Sequence, residues 1–431
     1  MMIEEKPGLL AQVRDKFAHV DSCPFTGPRV FFENAGGALT LKSTVETSAK
    51  FAAIPDNQGR DNPASHALMA IIKKAKDQSH VLFNAPDGQF FVGESGTELL
   101  FRMVRTAVMA APEGGVVLGS SVEHPASRSA AQHWAKATNR PYIRVPHNQE
   151  TGAVEAADYA AHVTPDTRVA TILHTSPVTG MGMDVAAISA AIRAVAPDCF
   201  IIVDGIQHAA HGALNLASYQ VDGYAISPYK MFSRHGFGYG WISDRLSKLD
   251  HETLLNGPAE NWELGTRDTG AYATISDIVD YLDWLGCQFS DSGDLRERLD
   301  AASSAIQHHE KALTDAILYG SDNLPGIRDM DGIEVIGGYE NPRREGLVAL
   351  RVTAQASSDV VAALNSAGIR THTRKADHYS GNILSPMGWS DCIRISLCHY
   401  NSKSEVRQLL SALKEITDTT NRFLAAGRNR R

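Results

Sequence analysis

Between about residues 90 and 245, short apolar, β-branched runs alternate with Ala-rich stretches whose apolar residues recur at helical spacing. The runs predict strands at Phe90–Val92, Val116–Leu118, Tyr142–Val145, Val169–Leu173, Phe200–Val203, Gly223–Ile226 and Gly238–Ile242. Helical patterns lie between several of them, at Thr97–Ala111, Ser127–Ala137 and Val185–Ala196. Strands alternating with helices of this length predict a mostly parallel sheet covered on both faces. After about residue 290 the pattern changes. A long polar helical stretch, Leu295–Leu318, precedes strands at Leu347–Val352 and Cys392–Leu397 and helices at Ser357–Ala367 and Ser402–Thr417. The expected organisation is a large domain over residues 30–285 and a smaller α/β domain built from residues 286–431, with residues 1–29 packed on it.

Composition narrows this little. The 431 residues suffice for one large domain and a smaller one, and 43% apolar with 21% charged residues describes an ordinary soluble globular chain. A net charge of −8 spread along the sequence gives no case for nucleic-acid binding, and the basic end, Arg428-Asn-Arg-Arg431, reads as a frayed tail. The five cysteines are scattered and form no CxxC, which suits a reducing compartment and argues against a zinc site or disulfide framework. No signal-peptide pattern opens the chain and no apolar run is long enough to span a bilayer, so a cytoplasmic protein without membrane contact is expected.

Candidate chemistry concentrates where the strand Phe200–Val203 ends. Asp204 closes that strand, Gln207 follows three residues later, and Ser227-Pro-Tyr-Lys230 ends twenty-six residues beyond the acid. A lone lysine after a strand is ordinarily a solvated surface residue. Here a buried acid can keep an aromatic nitrogen protonated while the lysine amine condenses with an aldehyde. That is the protein equipment required by pyridoxal 5′-phosphate, with Lys230 as covalent anchor and Asp204 as partner of the pyridinium nitrogen. A phosphate needs free backbone amides at a helix start, and Gly93-Glu-Ser95-Gly96-Thr97-Glu98 follows a strand and opens a helix.

The segment "VDGIQHAAHG…YAISPYKMFSRHGFGYGWI" resembles the cofactor segment of the class V aminotransferase family, which includes the cysteine desulfurases. The resemblance runs from about Phe31 to the C-terminal region. It implies a fold-type-I α/β enzyme, usually a homodimer with active sites at the subunit interface, acting on a small amino-acid substrate. By the same resemblance Lys230 and Asp204 take the roles given above, and Gln207 donates to the ring O3′. Ser95, Gly96, Thr97 and Ser227 hold the phosphate. Glu123-His124-Pro-Ala126 matches the family's E-H-x-[AS], whose His stacks on the ring and serves in proton transfer. Thr266 in "WELGTRD" resembles the threonine that reaches the phosphate in a neighbouring subunit, although Arg267-Asp268 replaces the usual Pro-Asn. Arg394 in "CIRISLCHYN" resembles the arginine that binds the substrate carboxylate. Asn34, in Asn34-Ala-Gly-Gly37, matches a segment near the entrance, with Arg60 and His66 as further candidates at that mouth.

Two positions depart from the desulfurase pattern. Pro177 stands in Thr175-Ser-Pro-Val-Thr-Gly180 where many members place an Asn beside O3′, a turn closer to the isopenicillin-epimerase-like branch. Tyr379 stands where the desulfurase loop carries its cysteine, and no cysteine lies between Cys287 and Cys392. His378 and Tyr379 are instead candidates to line the substrate pocket. The same residues permit transamination, β-elimination by a C–S lyase, and epimerisation. The family name puts an aminotransferase first and a desulfurase-like lyase second. The intact Lys230, Asp204, Gln207 and Arg394 argue against a non-catalytic binding protein of this fold.

Overall fold

A computed structural model describes residues 2–428, with side chains through residue 419. Residues 429–431 of the basic C-terminal segment lie outside the described residues. The seven expected strands all form. They are β1 (Gln89–Gly93), β2 (Val116–Ser120), β3 (Tyr142–Val145), β4 (Thr167–Leu173), β5 (Phe200–Asp204), β6 (Gly223–Ile226) and β7 (Gly238–Ile242). They make one sheet in the order β1-β7-β6-β5-β4-β2-β3. The pairs from β3 to β6 are parallel, and only β7 runs antiparallel to its neighbours β1 and β6.

The inner strands are buried almost residue for residue, as in Phe200-Ile-Ile-Val-Asp204, because helices cover both faces. One covering helix, Gly96–Ala110, presents Leu99, Leu100, Met103, Val104 and Ala107 to the sheet at i, i+3, i+4 spacing. Ser95 caps its start, its Oγ accepting from the Glu98 amide at 3.1 Å, a contact typically worth about 1 kcal/mol.

A second sheet follows the long helix Leu295–Tyr319. Its strands β8 (Ile333–Val335), β9 (Leu347–Val352), β10 (His372–Lys375) and β11 (Asp391–Ser396) lie in the order β8-β9-β11-β10, all antiparallel. Helices Ser357–Ser366 and Lys403–Arg428 accompany it, and its core gathers Leu313, Ile317, Val348, Leu350, Ile393, Ile395 and Leu409. The N-terminal segment sends Ile3, Leu9, Val13 and Phe17 into the principal core, where Phe17 meets the rings of Phe232, Tyr281, His399 and Tyr400. Among the described residues no helix is long and apolar enough to cross a membrane.

The candidate active site

The carboxyl ends of parallel strands leave backbone groups and loop side chains facing one crevice, where α/β sheets hold their ligands. Here β1, β2, β4, β5 and β6 deliver Thr97, His124, Thr175, Asp204 and Ser227 to one cavity, which Gln207, Tyr229 and Lys230 also line. Two glycines make this closeness possible. A Cβ at Gly96 would meet Ser227 Oγ at 2.5 Å, and one at Gly238, at the start of β7, would meet the Gly96 amide nitrogen at 2.6 Å. The helix-opening amides, Thr97 and Ser227 thus share one small-residue cradle suited to an anion.

Lys230 ends a single 3₁₀ turn, Pro228–Lys230, just after β6. Its amine donates to Gln207 Oε1 at 3.2 Å. Burial lowers its pKa to about 7, the Arg394 and Arg374 guanidiniums add to the lowering, and Asp204 opposes it. Such an amine is partly unprotonated at neutral pH and is therefore a nucleophile.

Asp204 ends β5, paired with Leu173 and Ala225. Its Oδ1 accepts from the Ile206 amide at 3.1 Å, while Oδ2 is buried with no hydrogen-bond partner. Burial raises its pKa to about 6 against the Ile206 hydrogen bond and Lys230. A buried oxygen without a donor carries a desolvation cost that a cationic N–H of a bound ring would relieve. This orphaned oxygen, the anion cradle and the basic-poor amine fit pyridoxal phosphate as a group.

His124 opens the helix Pro125–Ala137, its Nδ1 accepting from the Ala126 amide at 3.2 Å. Burial first, then the positive Lys230, Arg374 and Arg128, depress its pKa to about 3, so the imidazole is neutral. The His378–Tyr379 loop sits beside it: the Tyr379 ring lies 6.4 Å from that of His124, and the His378 carbonyl accepts from Arg128 at 2.9 Å.

The small sheet supplies the cationic side. Arg394 on β11 is 2% exposed and donates to the Pro177 carbonyl at 3.1 Å, while its Nε has no partner. Burial, reinforced by Arg374, lowers its pKa to about 9, still charged at neutral pH. Pro177 lines the cavity, so this guanidinium reaches its rim.

Other expected residues are placed elsewhere. Asn34 has its amide committed to the Ser396 carbonyl at 2.9 Å, and its Oδ1 accepts from Tyr400 OH. It ties its own segment to the end of β11 and the turn after it, with its amide and carbonyl both engaged. Thr266 is exposed on a loop and is not among the residues lining this chain's cavity, and Arg60 and His66 are exposed as well. Sequence reading missed Arg374 and Tyr229. Arg374 lies on β10, on the same face as His372, which pairs with Arg394. The period of two in His372-Thr-Arg374 could have revealed that second arginine once β10 was recognised as a strand.

Comparison with known proteins agrees with this arrangement. The profile of the family described as "Aminotransferase class-V" matches residues 30–288 and 295–409. A probable cysteine desulfurase of Staphylococcus epidermidis is 27% identical over 320 residues, covering 70% of this chain and 70% of that protein. An aminotransferase-like protein of Gibberella zeae, FGM3, is 25% identical over 413 residues, covering 90% and 94%. The crystal structure of the cysteine desulfurase CsdA of Escherichia coli superposes with a TM-score of 0.75 at 21% identity, covering 94% of this chain and 98% of that one.

Proposed function

The chain belongs to the class-V aminotransferase family, and from that premise we propose that it is a pyridoxal 5′-phosphate enzyme that transfers the amino group of an amino acid. The observation that carries this is the pairing of an unpartnered, buried Asp204 Oδ2 with a Lys230 amine of lowered pKa in one cavity.

When bound, pyridoxal phosphate supplies an aldehyde that condenses with amines and a ring that accepts the electron pair left when a Cα–H bond breaks. The protein's part is positional and electrostatic. Thr97, Ser227 and the amides of the Ser95–Thr97 turn would hold the phosphate, and Asp204 would keep a proton on the ring nitrogen. Gln207 would hydrogen-bond the ring hydroxyl, with the neutral His124 imidazole against the ring face. Lys230 would anchor the group and, as a free amine, would take the Cα proton, a task matched to a base whose pKa is about 7. Arg394 takes the substrate carboxylate through the planar fork that suits a bidentate contact. We extend the proposal to a homodimer in which Thr266 serves the partner's site, and to the domain division at residues 30–285.

A second reading, β-elimination from a sulfur-bearing amino acid, draws support from the names of relatives such as the Staphylococcus epidermidis protein. The lack of any cysteine between Cys287 and Cys392 speaks against a persulfide carried on that loop. An amino-acid panel incubated with and without a 2-oxo acid tests the choice. Acceptor-dependent amino transfer supports the first reading, and release of pyruvate and sulfide without acceptor replaces it with the second.

A further inference from the structure

Behind the cavity a chain of buried polar groups leads away from Lys230. The Lys230 amine donates to Gln207 Oε1 at 3.2 Å, and Gln207 Nε2 lies 3.2 Å from His211 Nε2. His211 Nδ1 lies 2.7 Å from Glu310 Oε2 on the long helix. Gln207, His211 and Glu310 are each no more than 5% exposed. Gly346 closes this pair off, since a Cβ there would come within 2.8 Å of Glu310 Oε2. His211 and Glu310 also line a second pocket, together with Gly346, Glu345 and Lys311, whose lining does not include Lys230.

The donors and acceptors of this chain are not independent. An amide has a donating end and an accepting end, so Gln207 cannot turn its carbonyl to Lys230 unless His211 Nε2 offers a lone pair to the amide NH₂. The proton of a neutral His211 must then sit on Nδ1, where the Glu310 carboxylate accepts it. A proton on Nε2 would face that NH₂, donor against donor, and the amide would turn over to present its NH₂ to Lys230 and to the cofactor ring. We propose that His211 and Glu310 are positioning residues that set which end of the Gln207 amide faces Lys230, with the His211 proton as the switch. The inference rests on the reading of Lys230 as the reactive amine.

The groups facing His211 decide where the switch lies. Burial opposes its protonation, whereas Glu310 beside it and Glu345 from the loop before β9 favour it, and Lys230 disfavours it. His399, after β11, is a further neighbour held neutral, and Cys398 lies against Glu310. The net effect raises the His211 pKa above the ordinary histidine value, Glu310 outweighing burial. The arrangement with the carbonyl toward Lys230 is the one with His211 neutral, and it favours the Lys230 ammonium.

The test reads Lys230 itself without cofactor. Full-length protein freed of pyridoxal phosphate is reductively methylated with limiting formaldehyde across the pH range, and the Lys230 peptide is quantified against the surface lysines. Glu310→Gln keeps the shape but withdraws the charge that protonates His211, which leaves the carbonyl toward Lys230. Labelling of Lys230 at neutral pH should then slow several-fold, and the Gln207→Leu background should abolish that slowing. Simple loss of a carboxylate near a lysine would speed labelling instead, so an equal or faster rate in Glu310→Gln overturns the proposal. Should that variant fail to fold, the wild-type profile decides: two titrating steps are expected, and a single-group curve overturns it. Borohydride trapping of added pyridoxal phosphate is run alongside. No adduct on Lys230 sinks the parent reading, whereas an adduct with unchanged labelling profiles sinks only this one.

Discussion

Arg394 donates to the Pro177 backbone carbonyl at 3.1 Å, a contact that ties the small sheet to the loop leaving β4. A proline at that position has no side-chain amide to offer a cofactor, but its carbonyl orients the guanidinium at the cavity rim. The residue that breaks the desulfurase pattern thus positions the residue expected to bind substrate.

Arg394→Lys loses the planar fork and keeps the charge. It should raise KM for an amino-acid substrate about ten-fold or more with a smaller change in kcat. Steady-state kinetics check this, and an unchanged KM would remove the carboxylate role from Arg394.

Lys230 has a pKa lowered from 10.5 to about 7 in the folded protein. The unfolded chain therefore binds the extra proton between those values, and the cofactor-free fold gains stability from this group as pH rises through that window. Lys230→Met should remove that pH dependence and raise the neutral-pH melting temperature by about 2 °C or more, because an awkwardly buried cation is gone. Thermal melts at neutral and mildly alkaline pH test both; a variant less stable at neutral pH contradicts the burial argument.

Asp204→Asn fits the same space but cannot hold a proton on a ring nitrogen. Cofactor attachment at Lys230 should survive while turnover falls by about 10²-fold or more. A variant with near-normal kcat would show that Asp204 does not tune the ring.

Cysteine chemistry should be dispensable. Cys392 and Cys199 are buried, with thiol pKa values pushed up to about 12 by that burial, and no cysteine lines the cavity among the described residues. Cys287→Ser, which removes the exposed thiol, should leave turnover unchanged, and a loss of activity would revive a sulfur-carrying mechanism.

Much of this was legible in the sequence because the strands that position the site are short, buried on both faces and bounded by polar turns. All seven strands of the large sheet lie where the apolar runs place them, and the helix Leu295–Tyr319 lies within a residue of its expected span. Helices Pro63–Leu82 and Thr269–Gly286 were not predicted; the second is buried over most of its surface, and its polar stripe is the narrow row Asp277, Asp280 and Asp283. At the site, Lys230, Asp204 and Gln207 share one local segment and read together. His211 lies in that same segment, four residues after Gln207, whereas Glu310 and Arg374 come from separate elements, and only folding brings them beside His211 and Lys230. Asn34 matched a motif by its neighbours in sequence, whereas its hydrogen bonds to Ser396 and Tyr400 depend on packing far along the chain.

The central claim is that Lys230 covalently anchors pyridoxal phosphate, and one measurement addresses it directly. The protein is incubated with pyridoxal phosphate, reduced with borohydride, digested and mapped by mass spectrometry. The account predicts a phosphopyridoxyl mass on the peptide containing Lys230, absent from Lys230→Ala. An adduct on another lysine, or one that survives in Lys230→Ala, would contradict it.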